Sequence, residues 1–256
     1  MTDEQHQKTT ILLYDDGNGI TLKAAPNGVM TILMNRGPNV FNPSLIGSLM
    51  AALRKVEDVD HPKALVIRGV GKFFSNGLDL EFMQNSEPHE TSAMIEQCWN
   101  FLARLLVLDC RTVAAINGHG FGAGLFLALA CDFRIMRTKR GFLNFPELNL
   151  GMRLGKGFAE LSKAKITSPQ VLREGVLTGK RYDSHASLKA GLVDDECSVE
   201  MLQERAESLA LQGLPDELGA KFFDATSFQQ MKMELYSDAY RTLTTAKVES
   251  LPESRL

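Results

Sequence analysis

Residues 111–132, RTVAAINGHGFGAGLFLALACD, decide the fold of this chain. The stretch opens with an apolar run containing β-branched residues, Val113 to Ile116, and such a run predicts a short buried strand. It closes with an apolar helix, Gly122 to Ala130. The turn between them carries glycines at positions 118, 120, 122 and 124. Because glycine tolerates positive φ and lets a ligand approach the backbone closely, we expect a binding site at this turn.

The first turn of the predicted helix indicates what would bind there. Its backbone N–H groups have no acceptor within the helix, and the helix dipole adds partial positive charge at this end. Both effects stabilise an anion or a developing oxyanion. We therefore predict an electron-rich group above residues 122–124.

The bulk composition excludes several classes of protein. The chain has 256 residues, of which 44% are hydrophobic, so it can bury a sizeable core as one main domain. Its net charge of −3, with both signs interspersed, supplies no basic field for nucleic acid. No apolar run reaches the ~18 residues of a membrane-spanning helix, and the polar N-terminus lacks a secretory apolar segment, so we expect a soluble, non-secreted protein. Four widely spaced cysteines without a CxxC pair predict reduced thiols and no metal site.

The sequence before the glycine turn predicts a mixed α/β order. Residues 9–35 alternate short apolar runs with Gly, Asn, Asp and Pro, which is typical of a β-meander. Asn42 can cap a helix that has Pro43 in its first turn. A buried strand over residues 64–67 and a long helix over residues 91–108 lead into the strand described above. This succession of strand, helix and strand predicts a parallel sheet.

After the glycine turn the pattern changes from strands to helices. Residues 132–136 and 141–144 predict two short strands. Beyond about residue 155 the chain is predicted to be helical, apart from a short strand at Leu192–Val193. The last forty residues are predicted to be wholly helical.

Three short segments contain groups suited to catalysis. In the turn Ser75–Asp79, which follows the strand at 64–67, Gly77 permits a tight turn that would point the Leu78 N–H into a cleft. The second segment is the glycine turn described above. The third is Glu147, at the end of an apolar strand, where partial desolvation would raise the carboxyl pKa toward the range of a general base. The alternatives are an ordinary turn at Gly77 and a surface or capping glutamate at Glu147.

Residues 118–123 also fit the G-x-G-x-x-A pattern of dinucleotide-binding proteins. That fold places an acidic residue about twenty positions further on, whereas this chain has Thr138, Lys139 and Arg140 there. Because the motif also lies in mid-chain after a complete meander, the sequence disfavours a nucleotide cofactor. His119 is interpreted as a structural residue, since no Ser or Cys lies in a nucleophile-elbow sequence that would pair with it.

Four motifs together resemble the crotonase superfamily, the enoyl-CoA hydratase/isomerase fold. They are NRGPNVFNPSL (35–45), FFSNGLDL (73–80), AAINGHGFGAGLFLALACDFRI (114–135) and NFPELNLGM (144–152). The resemblance covers about residues 10–200 and implies an α/β fold with a spiral core of ββα repeats in residues 1–200. It also implies a helical C-terminal region, 201–256, that makes the subunit contacts of a homotrimer or a dimer of trimers. CoA enters as part of an acyl-CoA thioester substrate, so the resemblance implies neither a metal nor a redox cofactor.

The resemblance also assigns the site residues. Members of the family hold the thioester carbonyl between two backbone N–H groups, and these catalytic donors fall here on Leu78 and Ala123. Hydratases of the family hold a water between two glutamates; here Phe126 occupies the first position, and only Glu147 matches the second. A single base is the pattern of Δ3,Δ2-enoyl-CoA isomerases, in which one carboxylate moves a proton from C2 to C4 of a 3-enoyl thioester. The residues expected to contact the substrate are Asn76, Gly77, Asp79, Gly122, Gly124 and Phe126.

Related activities on the same fold remain alternatives. A dienoyl-CoA isomerase needs a further acid downstream of the glutamate, and residues 148–158 contain none. An enoyl-CoA hydratase, an acyl-CoA hydrolase or a non-catalytic acyl-CoA-binding protein could use the same framework. The presence of Glu147 argues against the non-catalytic reading, and Phe126 argues against full hydratase activity.

The extreme C-terminus predicts a location. Ser254-Arg255-Leu256 is a close variant of the Ser-Lys-Leu peroxisomal address, in which one cation replaces another. We therefore expect a peroxisomal protein that is recognised by a peroxisomal import receptor. The β-oxidation of unsaturated fatty acids needs an isomerase in that compartment.

Overall fold

Two β-sheets form the framework of the protein in the computed structural model, which describes residues 9–61, 63–212 and 224–248. The strands within these ranges are β1 Ile11–Asp15, β2 Ile20–Ala24, β3 Val29–Met34, β4 Ala64–Gly69, β5 Phe73–Ser75, β6 Arg111–Ile116, β7 His119–Phe121, β8 Phe133–Arg137, β9 Leu143–Asn144 and β10 Asp195–Cys197. The larger sheet has the order β1-β2-β3-β4-β6-β8-β10, and the smaller sheet has the order β5-β7-β9. The first three strands form the predicted antiparallel meander, and every later pair is parallel.

Helices follow the meander and each later pair of strands. Those in the described ranges are α1 Pro43–Glu57, α2 Leu80–Asn85, α3 Pro88–Leu106, α4 Ala123–Ala130, α5 Lys156–Lys165, α6 Pro169–Thr178, α7 Ser184–Lys189, α8 Leu202–Leu211, α9 Ala225–Leu235 and α10 Ser237–Thr245. Each turn of the spiral gives one strand to the larger sheet, the next strand to the smaller sheet, and then a helix: β4-β5-α2, β6-β7-α4 and β8-β9-α5. The predicted spiral of ββα repeats is therefore confirmed. None of the helices described here is both long and apolar enough to cross a membrane.

The start of α1 shows how local sequence fixes an element. Asn42 accepts the Leu45 N–H at 2.9 Å, and Pro43 occupies the first helical position, as predicted. The side chains that α1 buries in the main core are Leu45, Ile46, Leu49, Ala52, Leu53 and Val56. A second, smaller core lies between the other face of the larger sheet and α8.

Two predicted strands have different bounds in the structure. The last strand is β10, at residues 195–197, and not at Leu192–Val193. Both N–H groups of that pair bond to the Ser187 carbonyl, at 2.9 and 3.4 Å, so these residues close α7 instead of joining the sheet. The strand predicted over residues 141–144 is only Leu143–Asn144, because Gly141 has φ +98° and packs on the backbone of Gly118.

The C-terminal region is described only in part. Residues 224–248 contain the helices α9 and α10, but residues 246–248 are not helical, so the prediction of a wholly helical C-terminal region is wrong there. Helix α10 packs against α3 and α5 of the spiral core. Residues 213–223 and the terminal tripeptide 254–256 lie outside the described residues.

Candidate active site

A cavity of about 280 Å³ lies where the two glycine-containing turns meet. Its walls come from five parts of the chain. The lining residues are Asn76, Gly77, Leu78 and Leu80; Ile95 and Trp99 of α3; Gly122 and Ala123; Pro146, Glu147, residues 150–156 and Phe158; and Lys247 and Val248.

The two turns touch through their backbones, and only glycine permits this approach. Gly77 has φ +90°, and a Cβ added there would lie 2.8 Å from the Phe121 carbonyl oxygen and 3.5 Å from the Ala123 nitrogen. A Cβ on Gly124 would lie 2.4 Å from the Ser75 carbonyl oxygen. Any larger residue at either position would force the turns apart. The glycines therefore bring two segments that are separated by about forty-five residues to one side of the cavity.

Two backbone donors line the cavity without a protein acceptor. The Phe41 N–H donates to the Gly77 carbonyl at 2.8 Å, and the Asp79 N–H donates to the Phe41 carbonyl at 3.1 Å. This parallel bridge turns the N–H of the intervening Leu78 away from Phe41. Ala123 is the first residue of α4, where an N–H has no intrahelical acceptor. Neither N–H makes a hydrogen bond within the described part of the chain, so both can bind a carbonyl oxygen.

Glu147 supplies the one carboxyl group among the described residues of the cavity wall. Its Oε1 lies 3.6 Å from the position that a Cβ on Gly122 would occupy. Its Oε2 is buried and has no hydrogen-bond partner within the described ranges. Burial raises the pKa of this carboxyl from 4.5 to about 7, with a smaller opposing effect from its own backbone N–H. A carboxyl group with this pKa can act as a general base near neutral pH.

The cavity is polar at one end and aromatic at the other. Arg153, Lys156 and Lys247 are exposed, and the Lys247 side chain is 80% exposed. Trp99 and Phe158 are only 2% and 4% exposed and line the buried end. A ligand with an anionic end and an apolar end would match this arrangement. In the described ranges no group of three or more His, Cys, Asp or Glu side chains is placed to hold a metal ion.

Three residues that we expected to contact the substrate lie outside this cavity wall. Asp79 caps α2, where it accepts the Phe82 N–H at 3.0 Å and an Asn42 side-chain N–H at 3.0 Å. Gly124 packs against the Ser75 backbone. Phe126 is fully buried and stacks on Phe158, with ring centroids 4.2 Å apart. None of these three is among the lining residues, and each supports a residue or turn of the wall. Their direct contact with substrate stays a prediction.

The remaining predicted residues do line the cavity. They are Asn76, Gly77, Leu78, Gly122, Ala123 and Glu147. His119 is not among the lining residues; its ring lies 4.9 Å from Phe121 and 5.4 Å from Phe73, in an aromatic cluster on the smaller sheet. Desolvation and, to a lesser degree, nearby cations lower the pKa of His119.

Sequence reasoning missed two parts of the wall. Because Ile95 and Trp99 are four residues apart on α3, the sequence shows that they share a face of this helix. It does not show that this face lines the cavity. The second part is residues 246–248, here called the strap, which follow α10 and are held by Glu96 of α3. Lys247 Nζ lies 2.8 Å from Glu96 Oε2, and the Val248 N–H donates to Glu96 Oε1 at 3.1 Å. No local signal links positions that are about 150 residues apart.

The fold and the site define a class: a ββα spiral in which two free backbone donors and one buried carboxyl line an apolar cavity. The family model for enoyl-CoA hydratase/isomerase matches residues 24–247. The chain therefore belongs to the enoyl-CoA hydratase/isomerase family, in the crotonase superfamily.

Named relatives and solved structures agree with this assignment. The chain is 30% identical over 224 residues to enoyl-CoA delta isomerase 2, peroxisomal, of Arabidopsis thaliana, covering 85% of this chain and 92% of that protein. It is 28% identical over 198 residues to an enoyl-CoA isomerase/hydratase of Mycosarcoma maydis, with coverages of 73% and 72%. The apo structure of an enoyl-CoA isomerase from Mycobacterium tuberculosis superposes with a TM-score of 0.78 at 23% identity, over 89% of this chain and 95% of that chain. At that identity the structural likeness shows the fold.

Proposed function

We propose that the protein is a Δ3,Δ2-enoyl-CoA isomerase, which shifts the double bond of a 3-enoyl-CoA to the 2-trans position. The observation that carries this proposal is that Glu147 is the one carboxyl group among the described residues of the cavity wall. It lines the same cavity as two backbone donors that have no acceptor within the described ranges. The isomerase name of the Arabidopsis thaliana relative supports the proposal.

The chemistry follows from these three groups. The Leu78 and Ala123 N–H groups donate to the thioester carbonyl oxygen of the substrate, and this oxygen gains negative charge in the transition state. The Glu147 carboxylate takes a proton from C2, which leaves a dienolate stabilised by the two donors. The protonated Glu147 then returns the proton to C4, so the double bond moves and the carboxylate is regenerated. The reaction consumes no water, and only a proton is transferred, from C2 to C4 of the substrate.

The residue at the position of the second carboxylate favours isomerisation over hydration. Hydration needs a water that is held and activated by polar groups, and a second carboxylate would serve this purpose. Phe126 stands at the position where hydratases of this family carry that carboxylate, and it is buried beneath Phe158. A phenylalanine at this position offers no hydrogen bond that could hold a water.

We extend the proposal to the setting of the enzyme. Acyl-CoA is the substrate, and CoA is expected to enter with it instead of acting as a separate cofactor. The terminal Ser254-Arg255-Leu256 and the peroxisomal name of the Arabidopsis thaliana relative support import into the peroxisome, where the enzyme would serve fatty acid β-oxidation. Assembly into a homotrimer or a dimer of trimers is part of the same proposal.

The decisive experiment follows the conversion of a 3-enoyl-CoA to the 2-enoyl-CoA by wild type and Glu147→Gln. General-base catalysis contributes about 10²–10⁴-fold, so the variant is expected to lose at least about 10²-fold in kcat while remaining folded. A matched control is Glu160→Gln, since Glu160 pairs with Lys163 on α5 outside the cavity wall. 3-Hydroxyacyl-CoA and free thiol are measured in parallel. If wild type mainly makes either by-product, or if Glu147→Gln is fully active, the isomerase proposal is wrong.

A further inference from the structure

Trp99 and Phe158, which line the buried end of the cavity, belong to a row of four aromatic rings. Trp99 meets Phe158 edge to face, with centroids 5.8 Å apart and an interplanar angle of 88°. Phe158 stacks on Phe126 at 4.2 Å and 12°, and Phe126 lies 5.6 Å from Phe145. All four rings are at most 4% exposed. The row joins α3, α5, α4 and the segment before Glu147, so the two lining rings, Trp99 and Phe158, are backed by Phe126 and Phe145.

Trp99 has no room to move away from the cavity toward α5. A Cβ on Gly157 would lie 2.7 Å from the indole, and a Cβ on Gly155 would lie 3.0 Å from it. The start of α5 therefore packs its bare backbone against the ring. Because protein interiors are close-packed, the core behind this wall offers no further space for a ligand.

The polarity of the cavity fixes the direction in which a substrate enters. The CoA end of an acyl-CoA carries phosphates, and the cations of the cavity lie at its exposed end, with Lys247 80% exposed. The acyl end must then point toward the buried rings. Leu78, Ala123 and Trp99 line the same cavity, so an acyl chain that extends inward from a thioester held by the two donors would approach the indole.

We propose that Trp99 limits the length of the acyl chain, and that the enzyme acts on short- and medium-chain 3-enoyl thioesters and discriminates against long-chain ones. The proposal rests on acyl-CoA being the substrate class of the proposed function. A chain that reaches past the indole would have to displace a ring that is clamped by the α5 backbone. Overpacking of this kind costs about 1–3 kcal/mol, which corresponds to about 5- to 150-fold in affinity.

The test measures binding of saturated hexanoyl-, decanoyl- and hexadecanoyl-CoA by calorimetry, which needs no catalytic turnover. Wild type is expected to bind hexadecanoyl-CoA at least about fivefold more weakly than decanoyl-CoA, and Trp99→Ala is expected to reduce this ratio to near one. If Trp99→Ala does not fold, the same ratio is measured for Trp99→Leu, which keeps a smaller apolar side chain. Ile95→Ala is the matched control, because Ile95 lines the cavity one turn earlier on α3 but does not belong to the aromatic row.

Each outcome separates this inference from the proposed function. Equal binding of decanoyl- and hexadecanoyl-CoA by wild type would overturn it, as would a ratio that Trp99→Ala and Trp99→Leu leave unchanged. If Ile95→Ala also brings the ratio of decanoyl- to hexadecanoyl-CoA affinity to near one, the assignment to Trp99 is overturned as well. If the expected length dependence is found in a protein that does not isomerise 3-enoyl-CoA, the role of Trp99 stands and the isomerase proposal falls.

Discussion

At the scale of the residue, burial accounts for the basicity that the proposed mechanism requires of Glu147. An exposed glutamate with a pKa of 4.5 is ionised at neutral pH but is a weak base. Desolvation in the cavity raises this pKa to about 7, which makes the ionised form more basic. The same burial leaves Oε2 without a partner among the described residues. Burial therefore destabilises the ionised carboxylate, and a destabilised carboxylate takes up a proton more readily.

The raised pKa predicts how activity and stability depend on pH. kcat/KM is expected to rise with pH up to an apparent pKa of about 7 and then to level off, because Glu147 must be ionised to take the proton. In folding, the native state binds this proton more tightly than the unfolded chain does between about pH 4.5 and 7, so the contribution of Glu147 to stability falls as pH rises through that range.

The side chain at position 147 cannot ionise in Glu147→Gln. The difference in stability between this variant and wild type therefore isolates the contribution of the ionisable carboxyl group. Relative to wild type, the variant is expected to gain up to about 3 kcal/mol in free energy of unfolding above pH 7, and little of this at acid pH. Urea denaturation at a series of pH values measures the difference. A gain that is the same at every pH would show that burial does not raise this pKa.

The geometry of the two donors depends on Gly77. Gly77→Ala places a methyl group 2.8 Å from the Phe121 carbonyl oxygen and forces the Leu78 donor away from the Ala123 donor. Loss of one such donor costs about 10²–10³-fold in kcat, and a comparable loss is expected here. Gly71→Ala is the matched control: Gly71 also has positive φ, +76°, but a Cβ there meets nothing within 4 Å. If both variants lose activity equally, backbone strain and not donor placement is responsible.

At the scale of the element, α3 and the strap form one wall together. Glu96 accepts hydrogen bonds from Lys247 and Val248, and the interaction with Lys247 lowers its pKa, with the Val248 N–H adding to the effect. Glu96 thereby fixes where the chain leaves α10. The strap contributes two lining residues, so its position affects binding of substrate and not proton transfer.

Glu96→Ala is expected to raise KM about three- to tenfold and to leave kcat nearly unchanged, because it frees the strap without touching Glu147. Steady-state kinetics on a 3-enoyl-CoA provide both constants. Asp238→Ala removes a comparable surface ion pair, with Arg241 on α10, and should change neither constant. A fall in kcat for Glu96→Ala would instead place Glu96 in the catalytic machinery.

At the scale of the whole molecule, the buried cation of Lys232 joins α9 to the spiral core. Lys232 of α9 is 5% exposed and donates to the carbonyls of Leu108 and Cys110 at 3.0 and 2.9 Å. It also lies 2.7 Å from Asp132, which in turn accepts the Thr112 N–H at 2.8 Å. These partners flank the strand β6, so α9 is anchored to the segment around which the fold is organised.

Lys232→Met is expected to destabilise the protein by about 3–5 kcal/mol, because it leaves the Asp132 carboxylate buried without its cation. Chemical denaturation measures the loss, and hydrogen exchange of α9 locates it. Lys163→Met removes a largely exposed lysine with its i, i+3 partner and should cost at most about 1 kcal/mol. Equal losses in the two variants would mean that the buried pair does not anchor α9.

The sequence by itself determined the parts of this protein that local chemistry controls. Asn42 and Pro43 start α1 because their effects act within one turn, and Gly77 and Gly122 mark the two turns because only glycine accepts positive φ without strain. The fold class was readable because strands and helices alternate in fixed order. Glu147 was readable as a candidate base because it ends an apolar strand.

Only the tertiary structure decided how these parts meet. It showed that Asp79, Gly124 and Phe126 support the wall from behind, and that Trp99 and the strap complete it. These placements depend on packing between α3, α5 and α10, whose contacts join residues far apart in the chain. A residue's neighbours in sequence do not specify such contacts, because they arise from the fit of whole surfaces once the spiral has closed.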